Sequence, residues 1–509
     1  MLHEGAKTRF LLKKLSKAID ICFSIRQGDP LAMILYIIYV EPLLVYIEKR
    51  IVGLSLPYTL SSQQIYKQGV EGYCDDLNVM TRSDNDFHII DEGIIKFERV
   101  SGSILSRNQK CKVIGFGQWK NRVLWPLPYL QTTNEMKVFG IFIMNNVRSL
   151  VTRNWEFRFL KFQQSIISWN TRVLDTLVQR IEVVKIFALS RIYYVASILP
   201  LPQSYINKFE QAIGRFIWSG RLMRVAISEL KLCPEKGGLG LTCIGSMAKS
   251  LLLTQLFRLL KSEDERSNAH IGYWLGEILV DMLPQRFLDN HAEITPSYFQ
   301  QLADLVAESL MSGAVTNLNW TSITNQYMYR TCVAKFPLTR VEVDSGGNLS
   351  RVWKKLCLPV LDRYSREVLF LLVHDKLPLR ERLFRIGIEK DPYCVSCIKE
   401  FECFSSDRQH VFLLCNTVSG LWENIRKIVD PLLPEYTSCF NLLTLNFPGG
   451  SFNNEITWLI GNYVNEVWKF KHGGGGNIDH DELFGFLKFK FRSDQNGARQ
   501  KMQSLPNFA

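Results

Sequence analysis

Apolar residues change period several times along this chain, and each change predicts an element. From Pro30 to Arg50 they are dense and end at Lys49-Arg50, which predicts one amphipathic or buried helix. Around Val70 to Val79 they alternate on either side of Asp75-Asp76, which predicts two short strands with the acidic pair at the turn. Ser83-Asp84 then reads as a helix N-cap, followed by Phe87, Ile90, Ile94 and Phe97 at helical spacing. Asp84, Asp86 and Asp91 fit the cap and first turn, where the helix dipole favours acids. Trp119 to Leu130 is an irregular aromatic and proline-rich connection, and Lys137 to Ile141 is β-rich. From Asn154 to about Tyr194, and again over residues 250–390, the pattern is helical, with a break at Ser345-Gly346-Gly347-Asn348. Trp458 to Phe470 predicts a short amphipathic helix, and Gly473 to Gly476 a flexible linker. Lys488, Lys490 and Arg492 alternate with Leu487, Phe489 and Phe491, which fits either a half-buried strand or a binder of single-stranded nucleic acid.

Composition narrows the class. A chain of 509 residues has room for two to four domains, and 47% hydrophobic with 22% charged residues describes a folded protein. The 61 Lys+Arg against 49 Asp+Glu leave +12, an excess that favours polyanions, chiefly nucleic acid. Part of it lies near the start, where Lys7, Arg9, Lys13, Lys14 and Lys17 read as a solvated basic face. The longest apolar run, Leu31 to Val40, ends at Glu41-Pro42 and is too short to span a bilayer. Twelve irregularly spaced cysteines and no signal peptide lead to the expectation of an intracellular protein, nuclear or cytoplasmic, with free thiols.

Two stretches carry candidate chemistry. Adjacent carboxylates at a hairpin tip repel each other unless a cation sits there, and hard ions such as Mg²⁺ take oxygen ligands shared with phosphates. Asp75-Asp76 therefore suits two-metal phosphoryl transfer, and equally a solvated Asp-Asp turn. Near the C-terminus Cys394-x2-Cys397 is followed, after twelve residues, by His410-x4-Cys415. Thiolate and imidazole donors at these separations meet the needs of a structural Zn²⁺ site, with Cys403 a spare or alternative ligand. The competing reading is a set of buried thiols with a core histidine. Lys236-Gly237-Gly238-Leu239-Gly240-Leu241 lacks the Lys-Ser/Thr of a phosphate loop and reads as a structural turn.

Arg26-Gln27-Gly28-Asp29-Pro30-Leu31, followed by Tyr73-Cys74-Asp75-Asp76, resembles the reverse transcriptase of non-LTR (LINE-type) retrotransposons. Phe216-Ile217-Trp218-Ser219-Gly220-Arg221 and the Gly237–Leu241 stretch resemble the same family, extending the likeness over most of residues 20–260. The Cys-Cys-His-Cys arrangement also occurs at the C-terminal end of many of its members. The resemblance implies RNA-directed DNA polymerase activity with Mg²⁺ (or Mn²⁺) at the palm and Zn²⁺ at the C-terminal module. It implies that Asp75 is a metal ligand, that Asp76 supports the site, and that Arg26, Gln27, Gly28 and Tyr73 serve the nucleotide and template. By the same likeness Lys110 assists the leaving pyrophosphate, and Phe139-Gly140 form the primer grip. Cys74 stands where the family usually has a small residue such as Ala, and Ser106 where it has Asn.

The expected fold is α+β: a partial polymerase palm with primer grip over residues 1–150 and a helical thumb over 151–250. A helical connector over 251–385, a zinc module over 386–425 and a helical tail over 426–509 would follow. RNA template and DNA primer or target are the implied partners, with no membrane. The family also has an Asp on a strand well upstream of its Gln-Gly element, and only Glu4 and Asp20 precede Arg26 here. The expectation is a chain that begins inside the palm, with a longer product as the source of the missing half. Without that Asp, the alternative is a catalytically silent remnant that binds nucleic acid.

Overall fold

A computed structural model describes residues 7–8, 19–20, 32–59, 65–73, 76–107, 111–221, 224–287, 296–316, 320–334, 337, 339–345, 347–398, 404–472, 480–496 and 505. It is a mixture of many helices with short strand pairs, compatible with an α+β class. The chain divides into two compact units, Met1–Phe157 with Leu253–Ile323, and Arg158–Leu252 with Thr324–Ala509. Among the described residues no helix is long and apolar enough to cross a membrane.

The first unit holds the described strands, which pair two by two. β1 (Lys7–Thr8) pairs with β2 (Ile19–Asp20), and the helix α1 (Ala32–Arg50) follows. β3 (Leu54–Thr59) pairs with β4 (Ile65–Gln68), and β5 (Val70–Tyr73) with β6 (Asp76–Val79), all antiparallel. After the helix α2 (Asp84–Ser101), β7 (Lys112–Val113) and β8 (Gln131–Thr132) form the parallel pair. β9 (Glu135–Val138) and β10 (Ile141–Met144) close a second tight hairpin.

The core of this unit follows from helical spacing. Leu43, Ile47 and Ile51, four residues apart, line one side of α1 and its end, and Ile94 meets them from α2. Val70, Leu77 and Val79 of the β5–β6 hairpin pack on the same cluster. Two glycines set the approach. A Cβ on Gly93 would stand 2.8 Å from the Tyr46 ring, and one on Gly72 would stand 3.1 Å from Leu44. A side chain at Gly93 would force the Tyr46 ring to shift, and one at Gly72 would press on Leu44.

Asp86 ties these pieces together. It is fully buried, and its Oδ1 accepts from Val52 N at 2.8 Å. Its Oδ2 accepts from Arg82 N at 2.9 Å and Ser83 N at 3.2 Å, while Ser83 Oγ accepts from Asp86 N at 3.3 Å, completing a capping box. Asp84 forms a two-pronged pair with Arg122 at 2.6 and 2.9 Å, and Asp91 accepts from Tyr129 Oη at 2.6 Å. Asp84 and Asp86 lie in the first turn, as the helix-start reading expects, whereas Asp91 lies two turns in and braces Tyr129 instead.

The second unit is helical, built largely from faces with i, i+4 spacing. Tyr205, Phe209, Ile213 and Phe216–Ile217 make the buried side of the Gln203–Ile217 helix, and Phe209 meets Phe159 and Phe162 edge-on. The Gly-Gly-Leu-Gly stretch is a structural turn: Gly237 has φ 81° and lies where a Cβ would be 2.7 Å from the Trp353 ring. Two C-terminal expectations are corrected. Asn453–His472 is not a short amphipathic helix but a helix of 20 residues, buried on every side from Glu455 to Asn465. Residues 480–496 form a helix rather than a strand. Leu487 and Phe491 are buried one turn apart, and Phe489 between them is 71% exposed. The alternation of basic and apolar residues thus conceals a 3.6 period, anchored by Phe491 against Trp458 and by Trp458 Nε1 donating to Asp494 at 2.9 Å.

Asp86→Ala deprives three N–H groups of their acceptor and is expected to cost about 3 kcal/mol in urea unfolding of the first unit. Burial pushes this carboxyl up, but the N–H donors from Arg82, Val52 and Ser83 outweigh it and hold its pKa below the ordinary 3.8. The folded chain therefore binds that proton less readily than the unfolded one. The contribution is full above about pH 4 and is lost as the pH falls through the lower, folded value. Unfolding midpoints of native protein and variant are expected to converge in acid.

Candidate metal centre and acidic hairpin

The metal centre grows from two local turns in the second unit. Tyr393 bridges Ser405, with Cys394 N donating to Phe404 O at 3.0 Å and Ser406 N to Pro392 O at 2.8 Å. This short ladder presents Cys394, and the Val395–Ile398 turn brings Cys397 round to the same side. The second pair uses a different device. Five residues along an α-helix, at about 100° each, would leave Cys415 on another face from His410. Instead His410–Leu414 forms one wide π turn, and Cys415 N donates to His410 O at 2.7 Å. Asp407 Oδ1 caps the turn by accepting from His410 N at 2.7 Å.

The four donor atoms of Cys394, Cys397, His410 and Cys415 lie within 4.8 Å of one another, and all four residues are buried. Cys415 Sγ is 3.7 Å from both Cys394 Sγ and Cys397 Sγ, and His410 Nε2 is 3.4 Å from Cys397 Sγ. Tetrahedral Zn²⁺, with Zn–S about 2.3 Å and Zn–N about 2.0 Å, sets sulfurs about 3.8 Å apart and sulfur and nitrogen about 3.5 Å apart. The cluster has the size of that coordination shell, and its soft sulfur donors with one imidazole can hold zinc. A pair of S–S bonded cysteines would need far shorter separations.

Residues around the cluster fix its donors. The Phe404 ring stacks on the His410 imidazole at 5.5 Å and 21°. Lys471 Nζ, from the end of the Asn453–His472 helix, lies 3.0 Å from Cys415 Sγ. Hydrogen bonds from Cys394, and then from His410, Thr417 and Lys471, hold the Cys415 thiol far below the ordinary range against the effect of burial. The same sulfur contact, with burial added, pushes Cys394 up. Lys471 and Asp407 were missed by sequence reasoning. No spacing rule links residue 471 to residue 415, whereas Asp407 three residues before His410 carries the ordinary signature of a cap. Cys403 lies outside the described residues.

The acidic hairpin belongs to the first unit. Tyr73 pairs with Asp76 at the end of the β5–β6 ladder, and the Asp76 residue is exposed. Arg26, Gln27, Gly28, Cys74, Asp75 and Lys110 lie outside the described residues, as does the Tyr73 side chain. Phe139 and Gly140 link β9 to β10 with φ of 46° and 83°, a two-residue turn with both centres left-handed. Glycine adopts that conformation readily, whereas for phenylalanine it is uncommon.

Three cysteines and a histidine thus form a buried group that could hold zinc, and no family model matches the chain. The chain is 23% identical over 312 residues to the Transposon TX1 uncharacterized 149 kDa protein of Xenopus laevis. The match covers 54% of this chain and 21% of that protein, so it corresponds to about a fifth of the relative's length. This weak similarity to a transposon protein agrees with a transposon-related origin.

Protein purified under reducing conditions is expected to carry close to one zinc per chain by elemental analysis. Cys397→Ser is expected to lose it. Because the ligands must shed protons to bind, zinc should also be released as the pH is lowered.

Proposed function

We propose that the chain is part of a LINE-type reverse transcriptase, with a C-terminal zinc module that grips nucleic acid. The observation that carries the reading is the ordered pair of motifs, Arg26–Leu31 and Tyr73–Asp76, in a chain similar to a transposon protein. The second motif closes an antiparallel hairpin whose apolar side chains rest on two helices, a rigid support for an acidic turn. In this reading Asp75 would hold Mg²⁺ (or Mn²⁺), and the chemistry the ion would supply is activation of a primer 3′-hydroxyl and stabilisation of charge on the transferring phosphoryl group. Asp76 supports that site, and Lys110 neutralises the departing pyrophosphate. Arg26, Gln27, Gly28 and Tyr73 shape the nucleotide and template pocket, and Phe139-Gly140 hold the primer end. The partners are an RNA template and a DNA primer or target.

The surroundings of the zinc module support the nucleic-acid role. Beside His410 an open cavity of about 230 Å³ is lined by Arg382, Arg385 and Arg408 together with Asp375, Glu381 and Asp407, and by Leu379, Gln409 and Phe440. Arg408 is held by Asp375 at 2.9 Å, while the Arg385 side chain is 59% exposed and 3.7 Å from Glu381. Guanidinium groups beside an aromatic face suit phosphate and stacked base together. Of the basic residues in the helical stretch from Asn154 to about Tyr194, Arg180 donates to Phe216 O and Leu174 O, and Lys185 pairs with Glu182 at 2.8 Å. Arg191 is exposed and has no partner among the described residues, which makes it the better candidate for a phosphate contact.

Primer extension on an RNA template tests the enzyme. Activity that vanishes in Asp75→Ala and falls by at least a hundredfold in Asp76→Ala is expected. Salt-sensitive binding with no extension by the native chain would instead identify a silent remnant. Arg385→Ala is expected to weaken binding of single-stranded RNA severalfold and to lower the salt slope by about one.

A further inference from the structure

The end of the Asn453–His472 helix reaches the metal cluster through one side chain. Lys471 Nζ has three N–H donors and three acceptors within reach: Cys415 Sγ at 3.0 Å, Thr417 Oγ1 at 2.6 Å and Ser396 Oγ at 3.3 Å. Ser396 lies in the knuckle between Cys394 and Cys397, and Thr417 lies two residues past Cys415. The ammonium therefore touches both halves of the ligand set.

Charge explains why a cation belongs there. Zn²⁺ with three thiolates and a neutral imidazole carries one net negative charge, and Cys397 and Cys415 are fully shielded from water. A buried net charge is costly unless an opposite charge meets it. Lys471 supplies one positive charge in direct contact with a ligand sulfur, which brings the sum to zero. Other bonds fasten the same helices to the same loop. Tyr463 Oη donates to Phe412 O inside the π turn, and His480 Nε2 lies 3.1 Å from Thr417 O. Gly420 leaves room for that histidine, since a Cβ there would stand 2.8 Å from its ring.

We propose that Lys471 is the outer charge partner of the zinc centre, so that metal binding and seating of the two C-terminal helices are coupled. The inference rests on zinc being the metal of the Cys394–Cys397–His410–Cys415 cluster. Coupling of this kind is reciprocal: whatever the docked lysine adds to metal affinity, the bound metal adds to docking of the helix.

The test uses the full chain and two substitutions, Lys471→Met, which keeps length without charge, and Lys471→Arg, which keeps the charge. Zinc affinity is read by competition with a chromophoric chelator, and amide exchange is followed near the end of the Asn453–His472 helix. Loss of an outer-shell partner typically costs 10–100-fold in metal affinity. Lys471→Met is expected to bind zinc at least tenfold more weakly and Lys471→Arg to retain most of the affinity. In the native chain, removing zinc is expected to speed exchange at the helix end. Equal affinity in the native chain and Lys471→Met, or exchange indifferent to zinc, would overturn the proposal. A native chain that takes up no zinc would instead refute the metal assignment beneath it. Should Lys471→Met fail to fold, Thr417→Val removes one of the three acceptors and is expected to weaken zinc severalfold. Native affinity in Thr417→Val would then decide against the coupling.

Discussion

Three sulfur atoms and an imidazole nitrogen converge in a buried site of the size that a tetrahedral cation would fill. Apolar surroundings raise thiol pKa values and favour neutral groups, yet here the donors converge at separations that match metal coordination. The constraint reaches outward. It requires a wide π turn to bring His410 and Cys415 together, and a short ladder to present Cys394. It also brings a lysine from a helix more than fifty residues along the chain into contact with a ligand sulfur. The C-terminal part of the second unit is organised around that cluster as much as around its apolar core.

The first unit depends on a smaller polar device. Asp86 is one fully buried carboxylate, and its acceptors take the end of α1, the exit from β6 and the start of α2. The apolar cluster of Leu43, Ile47, Ile51 and Ile94 supplies the attraction between these elements, but hydrophobic contact is not directional. The hydrogen bonds of Asp86 supply the angle at which they meet. The acidic hairpin is thereby held from beneath, while Asp76 remains exposed at its tip.

These two devices differ in what they make possible. A carboxylate satisfied by backbone donors is a finished structural element. A cluster of three thiols and a histidine could take an ion, and Thr417 and Lys471 touch its Cys415 sulfur. Aromatic and guanidinium groups gather on the metal-binding side of the second unit, where Arg408 lies over Phe440 at 5.2 Å. Ion pairs set the shape there, as where Arg408 meets Asp375 at 2.9 Å.

Local chemistry was legible in the sequence. Ser83-Asp84 announces a helix start, alternation about an acidic pair announces a hairpin, and Cys-x2-Cys with His-x4-Cys announces a cluster that could hold a metal. Each is a short-range rule in which neighbours in sequence are neighbours in space. The C-terminal segment misled because Leu487, Phe489 and Phe491 satisfy a period of two, although only Leu487 and Phe491 face the core. Packing against Trp458 chose the helix, and no property of the segment alone contains that contact. Lys471 is the same case in polar form. Its residue type and its place near the end of a helix are written in the sequence. That its ammonium meets Cys415, Thr417 and Ser396 is a consequence of how a fully buried helix lies against a distant loop, which only tertiary structure decides.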